Sequence, residues 1–563
     1  MTVSRNDPLR TASKSPEPPG GPPRIHKARG ISWFGQVNSL AVALLVGHWV
    51  CGAQPAKKQV NLLFIMTDQQ RFDAMGCAGN PTLKTPNLDR LAREGARFAR
   101  AYSSCPVCVP ARTTILTGHS PGSTKVISNG DISREDGPNL LTFDQVLLRN
   151  GYKGEYHGKW HSPYKFALDY TEPVLWLNGR KPPPGSKATI SEAEAFRQYI
   201  AEHVPARELR PGERVASLYG CPYEPDIMDP AHGSTNISRE RAPQGSMFGC
   251  LPDVPPEHSL AAWPVKEAFK ALERLKHGPF TLTVSIGPPH PPMVVPKPYF
   301  GMYPPGEIPV PVSIGDLRTN SPYARVAPGL ASEASRDPVK VRQMISDYYG
   351  LVALNDEWIG RLLDRLEKLD LARNTLVVFT SDHGEMLGDH GMMSKMVFYE
   401  GSVRIPLLMR LPGVIKPGTV VTAPVSHLDC YATILDYLGV SGPTSEGRSL
   451  RPLIEGREDG QGRVAISEWA GDNVPGFMVT DGRWKLMLGR TAAARSVDAL
   501  YDLKNDPQEL SNLLGDNPDR EMNRAEAERM KELLVDWLER TKSPLLGEVR
   551  ARPLLAGKPA NTR

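Results

Sequence analysis

The stretch Thr375-Leu-Val-Val-Phe-Thr380, followed directly by Ser381-Asp382, decides the fold. An apolar, β-branched run of this length is typical of a strand that is buried on both faces of a parallel sheet. It follows a long pattern from Met344 to Leu371, in which apolar residues recur at helical spacing. A helix that leads straight into an apolar strand is typical of βαβ units. The sequence therefore predicts an α/β fold with a large, mostly parallel sheet flanked by helices on both faces.

Two further apolar runs fit the same sheet. Val60-Asn-Leu-Leu-Phe-Ile-Met66 is a second apolar run that ends in Thr67-Asp68, and Phe280-Thr-Leu-Thr-Val-Ser-Ile286 is a third. After the Val60–Met66 run, a helix is predicted to begin at Pro86, because proline is favoured in the first turn of a helix.

Changes in composition and in the pattern of predicted helices and strands divide the chain into four parts. We predict, in order, a signal peptide over 1–53, a large main domain over 54–422 with an insertion at about 164–264, a smaller subdomain over 423–545, and a tail over 546–563. The subdomain is expected to be α+β with an antiparallel sheet. Its predicted elements are three short strands at Val464–Trp469, Phe477–Thr480 and Trp484–Leu488, and a charged helix at Arg520–Arg540.

The net charge of +5, from 67 basic and 62 acidic residues, is concentrated at the amino terminus. A basic, proline-rich stretch leads into the apolar run Leu40–Val46 and then into Cys51-Gly-Ala53, which is typical of a secretory signal peptide. We therefore expect a periplasmic or secreted protein. A membrane anchor over Ile31–Val50 is the alternative, although polar residues such as Gln36 interrupt that stretch. The remainder of the chain is nearly neutral, so we expect no nucleic-acid partner, and no membrane partner after signal cleavage.

The seven cysteines do not have the spacing of a structural zinc site. In an exported protein, Cys221 and Cys250 are candidates for a disulfide, since oxidising compartments allow such pairs to persist.

Two aspartates follow two of the predicted strands. Asp68 and Asp382 both lie where an apolar run ends, and ligands of open α/β sheets bind at the carboxyl ends of strands. Two carboxylates that meet there need a cation or a proton to offset their repulsion. With Gln69 and His383 beside them, the pattern favours a hard divalent cation. The alternative, that each aspartate only caps the following turn, stays open on these residues alone.

A third segment, Ser103 to Gly118, combines a thiol with a predicted helix amino terminus. A helix that begins at Pro110 places Cys108 at its positive end, with Arg112 on the same face one turn later. Such a segment is typical of an anion site that contains a reactive group. The alternative is a redox pair formed by Cys105 and Cys108.

Cys108-Val-Pro110-Ala-Arg112, followed by Thr-Thr-Ile-Leu-Thr-Gly118, resembles the signature of the formylglycine-dependent sulfatases, a family within the alkaline phosphatase superfamily. Four other stretches resemble further motifs of that family, in the family's order: Gly158–His161, Pro288–Pro291, Ser381–Lys395 and Leu500–Pro507. The resemblance covers roughly Asn61 to Leu513 and implies an alkaline-phosphatase-like fold.

The resemblance also implies a chemistry. A formylglycine-generating enzyme would oxidise Cys108 to an aldehyde that hydrates. One hydroxyl of the hydrate would attack the sulfur of a sulfate ester, and the other would expel sulfate. The implied ligands of one divalent cation are Asp68, Gln69, Asp382, His383 and the modified Cys108. The implied catalytic residues are Cys108, Arg112, Lys159, His161, His290 and Lys395.

Each implied residue has an expected role. Arg112 would orient the hydrate and balance charge, while Lys159 and Lys395 would bind sulfate oxygens. His161 would assist the hydrate, and His290 would act at the leaving oxygen. Because Lys159 and His161 are two residues apart, we expect them to share one face of a strand. Lys125 and Asn129, after the Gly118–Pro121 turn, are two further candidates for substrate binding.

Two residues depart from the usual family pattern. Many relatives have a second aspartate where Gln69 stands and an amide where His383 stands, and the Asp-His pair resembles the uronate-sulfatase and phosphonate-hydrolase branches. Calcium is the expected cation by resemblance, with manganese and magnesium as alternatives. A hydrogen bond from His383 to sulfate is an alternative to metal binding.

The resemblance and the amino-terminal segment together predict an exported sulfatase that hydrolyses sulfuric esters of a sulfated carbohydrate, so the expected partner is a sulfated small molecule or glycan substrate. One alternative is a phosphonate monoester or phosphodiester hydrolase with the same formylglycine. Another is a non-catalytic protein that binds sulfated glycans. The sugar, the sulfated position and the oligomeric state do not follow from the sequence.

Overall fold

The computed structural model describes residues 59–134, 139–163, 255–324, 330–470, 474–490 and 497–554, with short pieces at 199, 202–203, 213–215, 236–238 and 248–251. Lys58–Arg563 form one compact unit. The predicted signal peptide, most of the insertion, and the side chains of Cys221 and Cys250 lie outside the described residues. The predicted boundaries of the four parts stay predictions.

The strands of the described residues are numbered in chain order. They are β1 Asn61–Asp68, β2 Ala96–Phe98, β3 Ala101–Tyr102, β4 Lys153–Gly158, β5 Glu213–Val215, β6 Asn236–Ser238, β7 Phe248–Leu251, β8 Phe280–Pro289, β9 Met293–Pro296, β10 Thr375–Ser381, β11 Arg404–Ile405, β12 Leu407–Arg410, β13 Thr419–Val421, β14 Val425–Ser426, β15 Ala465–Glu468, β16 Phe477–Thr480, β17 Trp484–Leu488 and β18 Ala499–Asp502.

The helices of the described residues are numbered in the same way. They are α1 Pro86–Glu94, α2 Cys108–Thr117, α3 Pro121–Thr124, α4 Phe143–Arg149, α5 Ala262–Leu275, α6 Pro338–Lys368, α7 Glu400–Val403, α8 Leu428–Leu438, α9 Arg451–Ile454, α10 Arg520–Arg540 and α11 Leu546–Ala551. Among them, none combines the length and apolar character that a membrane-spanning helix needs.

The large sheet has seven strands in the order β13-β2-β12-β10-β1-β8-β4. Strands β4, β8, β1 and β10 run parallel to one another, and β12 is antiparallel to both of its neighbours. The predicted α/β fold with a large, mostly parallel sheet is confirmed.

Strand β1 shows why this sheet needs apolar residues at nearly every position. Its side chains alternate between two faces, and both faces are covered by helices. Leu63 and Ile65 pack in the cluster that contains α5 and α6, whereas Leu62 and Phe64 pack in the cluster that contains α2 and α8. Helix α8 follows the predicted boundary at residue 423, yet it packs against this large sheet.

The smaller sheet is an antiparallel meander, β15-β16-β17-β18, covered by α10. The three predicted strands and the predicted helix are present, and β18 adds a fourth strand. Lys485 of β17 is fully buried and pairs with Glu400 of α7 at 3.0 Å and with Glu509 at 2.8 Å. These three residues, the junction cluster, tie the smaller sheet to a segment that leads to the candidate site.

Candidate active site

The carboxyl ends of β1 and β10 bring the two predicted aspartates together. Thr67 lies opposite Ser381 in the parallel register, so Asp68 ends one strand while Asp382 follows the other. Both side chains are fully buried, and Arg112 lies between them. Arg112 Nη2 donates to Asp68 at 2.9 Å, and its Nε donates to Asp382 at 2.8 Å. Arg112, Asp68 and Asp382 form the strand-end cluster.

The charges around the two aspartates have opposite effects on them. For Asp68, burial disfavours the carboxylate, but Lys159, His290 and Arg112 outweigh this and hold its pKa far below the ordinary value. For Asp382, burial and the nearby Asp68 charge raise the pKa. The two neighbouring carboxylates therefore differ in how strongly their surroundings favour the charged form, which is favoured more at Asp68.

Helix α2 presents the thiol at its positive end. It begins at Cys108, two residues before the predicted start, and Asn129 Oδ1 accepts the Val109 N–H at 3.1 Å. All ten residues of the helix are buried. The hydroxyls of Thr113 and Thr117 are satisfied by the backbone carbonyls four residues earlier. Cys108 itself is only 1% exposed.

Three imidazoles and two ammonium groups surround Cys108. Its Sγ lies 3.1 Å from His383 Nε2, and it also interacts with the side chains of His161 and His290. Burial raises the pKa of the thiol, but the charges of Lys395, Lys159 and His383 outweigh this, so the pKa falls well below its ordinary value. The site therefore stabilises negative charge at residue 108.

Lys159 and His161 reach the site from the turn after β4. Because β4 ends at Gly158, the prediction that both residues lie on one strand is wrong. His161 takes a left-handed φ of 42°, which turns its ring back towards Cys108. Lys159 pairs with Asp68, and its N–H donates to the Ser285 carbonyl at 3.0 Å. Gly158 permits this close approach, since a Cβ there would lie 2.0 Å from the same carbonyl oxygen.

Both catalytic candidates among the histidines have lowered pKa values, which favours their neutral forms. Burial and the Lys395 and Lys159 charges lower the pKa of His290 to about 4. Its Nδ1 donates to the Pro291 carbonyl at 2.7 Å, which leaves Nε2 as the ring nitrogen available to a ligand. Burial and Lys159 also lower the pKa of His161.

Lys395 and Gln69 meet at the edge of the site. The Lys395 ammonium donates to Gln69 Oε1, and the Gln69 amide nitrogen donates to Glu385. The backbone N–H of Gln69 donates to Asp382 Oδ1 at 3.1 Å. Gln69 is therefore held between the two strand ends. Its role as a cation ligand stays a prediction.

The loop after β10 is joined to α7 through the backbone. Gly384 N–H donates to the Ser402 carbonyl at 2.7 Å, and Glu385 N–H donates to the Gly401 carbonyl at 2.9 Å. A Cβ on Gly384 would lie 2.0 Å from the Gly401 oxygen. The loop that carries His383 and the segment that follows Lys395 therefore lie in direct backbone contact.

The two predicted substrate-binding residues are exposed. Lys125 ends α3 with a φ of 62°, and Asn129 caps α2 as described above. Their role towards a substrate stays a prediction.

Three buried polar residues at the site were not predicted. Ser285 accepts from Arg112 Nη1 at 2.9 Å, and His427 Nε2 donates to the Ser381 carbonyl at 2.9 Å. Glu385 binds the Gln69 amide. Ser285 and Glu385 lie in segments that the sequence had singled out, whereas nothing around His427 distinguishes it from an ordinary core histidine.

The residues present fit a divalent cation. One ligand atom from each of Asp68, Cys108, Asp382 and His383 can be chosen so that all four lie within 4.8 Å of one another. Asp68 Oδ1 is buried and has no hydrogen-bond partner in the structure, which is costly unless a cation or water binds it. His383 Nδ1 donates to the Gly384 carbonyl at 3.0 Å, an arrangement typical of metal-binding histidines.

Comparison with protein families identifies the class. The sulfatase family model matches residues 60–167 and 252–440, which is more than half of the chain, and the chain belongs to this family. A model described as the carboxyl-terminal part of N-sulphoglucosamine sulphohydrolase matches residues 388–536. The protein is a sulfuric ester hydrolase. This finding favours an enzyme over the alternative of a non-catalytic protein that binds sulfated glycans.

The relatives cover nearly all of the described fold. The chain is 28% identical over 519 residues to an arylsulfatase of Clostridium perfringens, covering 89% of this chain and 98% of the relative. It is 29% identical over 546 residues to an N-acetylglucosamine-6-O-sulfatase of Bacteroides thetaiotaomicron, covering 87% and 88%. The crystal structure of a phosphonate monoester hydrolase of Agrobacterium radiobacter is similar in fold, with a TM-score of 0.67, 24% identity, and coverage of 86% of this chain and 96% of that one.

Proposed function

We propose that this sulfatase is exported and removes sulfate from a sulfated carbohydrate, using a formylglycine made from Cys108 and one divalent cation, with calcium as the first choice. The observation that carries the proposal is the environment of Cys108. A buried thiol at a helix amino terminus, with three imidazoles and two ammonium groups around it, suits a nucleophile that works on an anion.

The thiol sulfur stands in for the oxygens of the hydrated aldehyde. We propose that a formylglycine-generating enzyme makes this aldehyde, whose hydrate supplies one hydroxyl to attack sulfur and a second to release sulfate. The contacts that now favour a thiolate would favour an oxyanion at the same position, because the positive charges of Lys395 and Lys159 act on either.

Arg112 balances charge and does not bind substrate. Its Nε and Nη2 bind the two aspartates, while Nη1 donates to the Lys159 carbonyl and to Ser285, each at 2.9 Å. With these donors engaged, Arg112 holds the strand-end cluster together, and the lysines bind the sulfate oxygens. Of the two expected roles of Arg112, the geometry supports charge balance.

His290 is set up to exchange a proton at Nε2. In its neutral form Nε2 is an acceptor, because Nδ1 donates to Pro291. It becomes a donor for the leaving oxygen only after it takes up a proton. An anionic sulfate ester between Lys159 and Lys395 favours that uptake, since it offsets the charges that lower the His290 pKa.

The cation would be held by Asp68, Gln69, Asp382 and His383 together with residue 108. Bound there, it would polarise the sulfate oxygens and lower the pKa of the attacking hydroxyl. Oxygen donors from two carboxylates and an amide suit calcium, while the imidazole keeps manganese open as the alternative.

The substrate class is supported by a relative that is an N-acetylglucosamine-6-O-sulfatase. The alternative, a phosphonate monoester hydrolase, is supported only by similarity in fold to one such enzyme. A sulfate monoester carries one negative charge and a phosphate monoester nearly two. Because the two substrate classes differ in charge, kcat/KM on sulfate and phosphonate esters distinguishes a sulfatase from a phosphonate hydrolase.

The experiment uses full-length protein produced with and without a formylglycine-generating enzyme. Mass spectrometry of the peptide that contains Cys108 shows whether the aldehyde forms. The value of kcat/KM is then compared for a panel of sulfated mono- and disaccharides and for a phenyl phosphonate ester, with Cys108→Ala as the control. A larger kcat/KM on the phosphonate would overturn the proposal, as would turnover without the aldehyde.

The proposed export is tested separately. Cells that express the chain with its native amino terminus are fractionated, and the amino terminus of the mature protein is determined. Cleavage near residue 53 and recovery outside the cytoplasm are expected. Uncleaved protein in the cytoplasmic fraction would contradict export.

A further inference from the structure

Glu385 is a buried acid beside the site that the proposed chemistry does not use. Its side chain is fully buried, and one carboxylate oxygen accepts the amide N–H of Gln69. The other oxygen accepts the backbone N–H of Leu387 at 3.2 Å and that of Ser394, the neighbour of Lys395. Glu385 therefore touches both Gln69 and the segment that carries Lys395.

The two partners of the Gln69 amide leave it only one orientation. An ammonium group has only hydrogen-bond donors, and an ionised carboxylate has only acceptors. Gln69 must therefore turn its amide oxygen towards Lys395 and its NH2 towards Glu385, as the structure shows. Rotation of the amide by half a turn would set NH2 against the ammonium and oxygen against the carboxylate.

We propose that Glu385 is a positioning residue that fixes the amide orientation of Gln69 and thereby keeps an oxygen facing Lys395 and the cation position. The inference rests on the proposed function, since a hard cation takes the amide oxygen and not the NH2. Glu385 acts through Gln69 and does not touch the reacting atoms.

The same contact explains why an amide occupies position 69. A carboxylate at this position would meet the buried Glu385 carboxylate, and two adjacent like charges without a proton between them are costly. The amide provides an oxygen on one side and a donor on the other. Gln69 and Glu385 are thus a matched pair, in which each residue type depends on the other.

The first test is Glu385→Gln, which keeps the size of the side chain. The substituted amide can still accept from the Ser394 and Leu387 N–H groups with its oxygen, which leaves its NH2 facing Gln69. Gln69 must then flip and present its own NH2 to Lys395 and the cation position. We expect the affinity of the metal-free protein for Ca²⁺ to fall by about 10- to 100-fold, as is typical when a residue that orients a metal ligand is changed. Inhibition by inorganic sulfate should weaken as well.

The second test exchanges the pair. In Gln69→Glu with Glu385→Gln, the hydrogen bond re-forms with reversed polarity, and the total charge of the two residues is unchanged. We expect this double variant to bind Ca²⁺ more tightly than Glu385→Gln alone. The matched control is Asp347→Asn, which alters a similar carboxylate–amide contact, Gln343 to Asp347 at 3.0 Å on α6, and should leave Ca²⁺ affinity unchanged.

Calcium affinity is measured by calorimetric titration of metal-free protein, so the readout does not require turnover. The inference is overturned if Glu385→Gln binds Ca²⁺ as tightly as the wild type. It is also overturned if the exchanged pair recovers none of the lost affinity, since the loss would then not pass through Gln69. Failure of the proposed function has a different signature, in which the wild type binds Ca²⁺ but hydrolyses no sulfate ester.

Discussion

The strand-end cluster and the junction cluster share one plan and differ in use. Each places a buried cation between two carboxylates, and in each the two acids are shifted in opposite directions. The pKa of Asp68 is lowered and that of Asp382 is raised. Likewise, the pKa of Glu400 is lowered, whereas burial raises that of Glu509 to about 7. A cation shared by two buried acids therefore does not by itself indicate a functional site.

What distinguishes the strand-end cluster is its spare ligand capacity. Asp68 keeps one buried oxygen without a hydrogen-bond partner, and a thiol and imidazoles converge beside it. At the junction cluster, the further contacts of Glu400 are a hydroxyl from Tyr102 at 3.4 Å and a guanidinium from Arg404 at 3.2 Å. The first arrangement can take up a cation and an anion, while the second ties two parts of the fold together.

The largest expected effect is on the strand-end side and concerns Cys108. Cys108→Ala removes the proposed nucleophile, so kcat on a sulfate ester should fall by a factor on the order of 10⁶. Circular dichroism and the unfolding midpoint should stay close to those of the wild type. Sulfatase turnover near the wild-type rate in the purified variant would contradict the role of this residue.

The next comparison concerns Arg112 and Lys485, the side chains that each pair with two buried carboxylates. Arg112→Met and Lys485→Met each leave two buried carboxylates without their common partner, so each should lower the free energy of unfolding by about 3–5 kcal/mol. Only Arg112→Met should also abolish activity in protein that remains folded. Denaturant unfolding and kcat are measured under the same buffer conditions, and an equal loss of kcat in both variants would refute the distinction.

Removal of the divalent cation should have a somewhat smaller effect on stability, and this effect should depend on the strand-end cluster and not on the junction cluster. If the free cation is present at about 100 times its dissociation constant, chelation should cost about 3 kcal/mol of stability. The response should disappear in Asp382→Asn, which lacks a proposed ligand, and persist in Glu509→Gln. Thermal unfolding with and without chelator measures it. A response of Asp382→Asn equal to that of the wild type would remove Asp382 from the ligand set.

The smallest predicted effect is the pH dependence at the junction cluster. The pKa of Glu509 in the folded protein is about 7, above its ordinary value of 4.5, because burial and the Glu400 charge outweigh Lys485. The folded state then binds more protons than the unfolded state between these values, and the stability that Glu509 contributes falls as pH rises. From pH 5 to pH 7 the loss should be about 2 kcal/mol.

Glu509→Gln serves as the comparison for this titration, since its side chain does not ionise. The stability of the wild type relative to this variant should decline as pH rises from 5 to 7. Urea unfolding at several pH values measures the difference, and a difference that is constant or that grows with pH would contradict the shift.

Much of the fold was predictable, because its signals are local. Apolar runs that end in Asp68 and Asp382 already specify two buried parallel strands with carboxylates at one edge. The helix that leads into Thr375 specifies how they are connected. Element bounds were less accurate. Helix α2 begins at Cys108 instead of Pro110, and a distant residue, Asn129, accepts the Val109 N–H in its first turn.

The remainder of the candidate site depends on contacts between distant residues. Lys159 and His161 reach Cys108 through a left-handed turn and not through strand alternation, and spacing alone does not encode such a turn. Glu385 is important because Gln69, more than three hundred residues earlier, lies against it. His427 has no sequence signal, and its burial beneath Ser381 becomes evident only in three dimensions.

The close backbone contact between the Gly384 loop and the segment that contains Gly401 has a practical consequence for protein engineering. Since even a methyl group at Gly384 would collide with the facing backbone oxygen, a mutant library that varies Gly384 would yield mostly misfolded protein. Efforts to redirect the enzyme towards new esters should instead vary exposed positions such as Lys125, where a new side chain does not disrupt the contact between these two backbone segments.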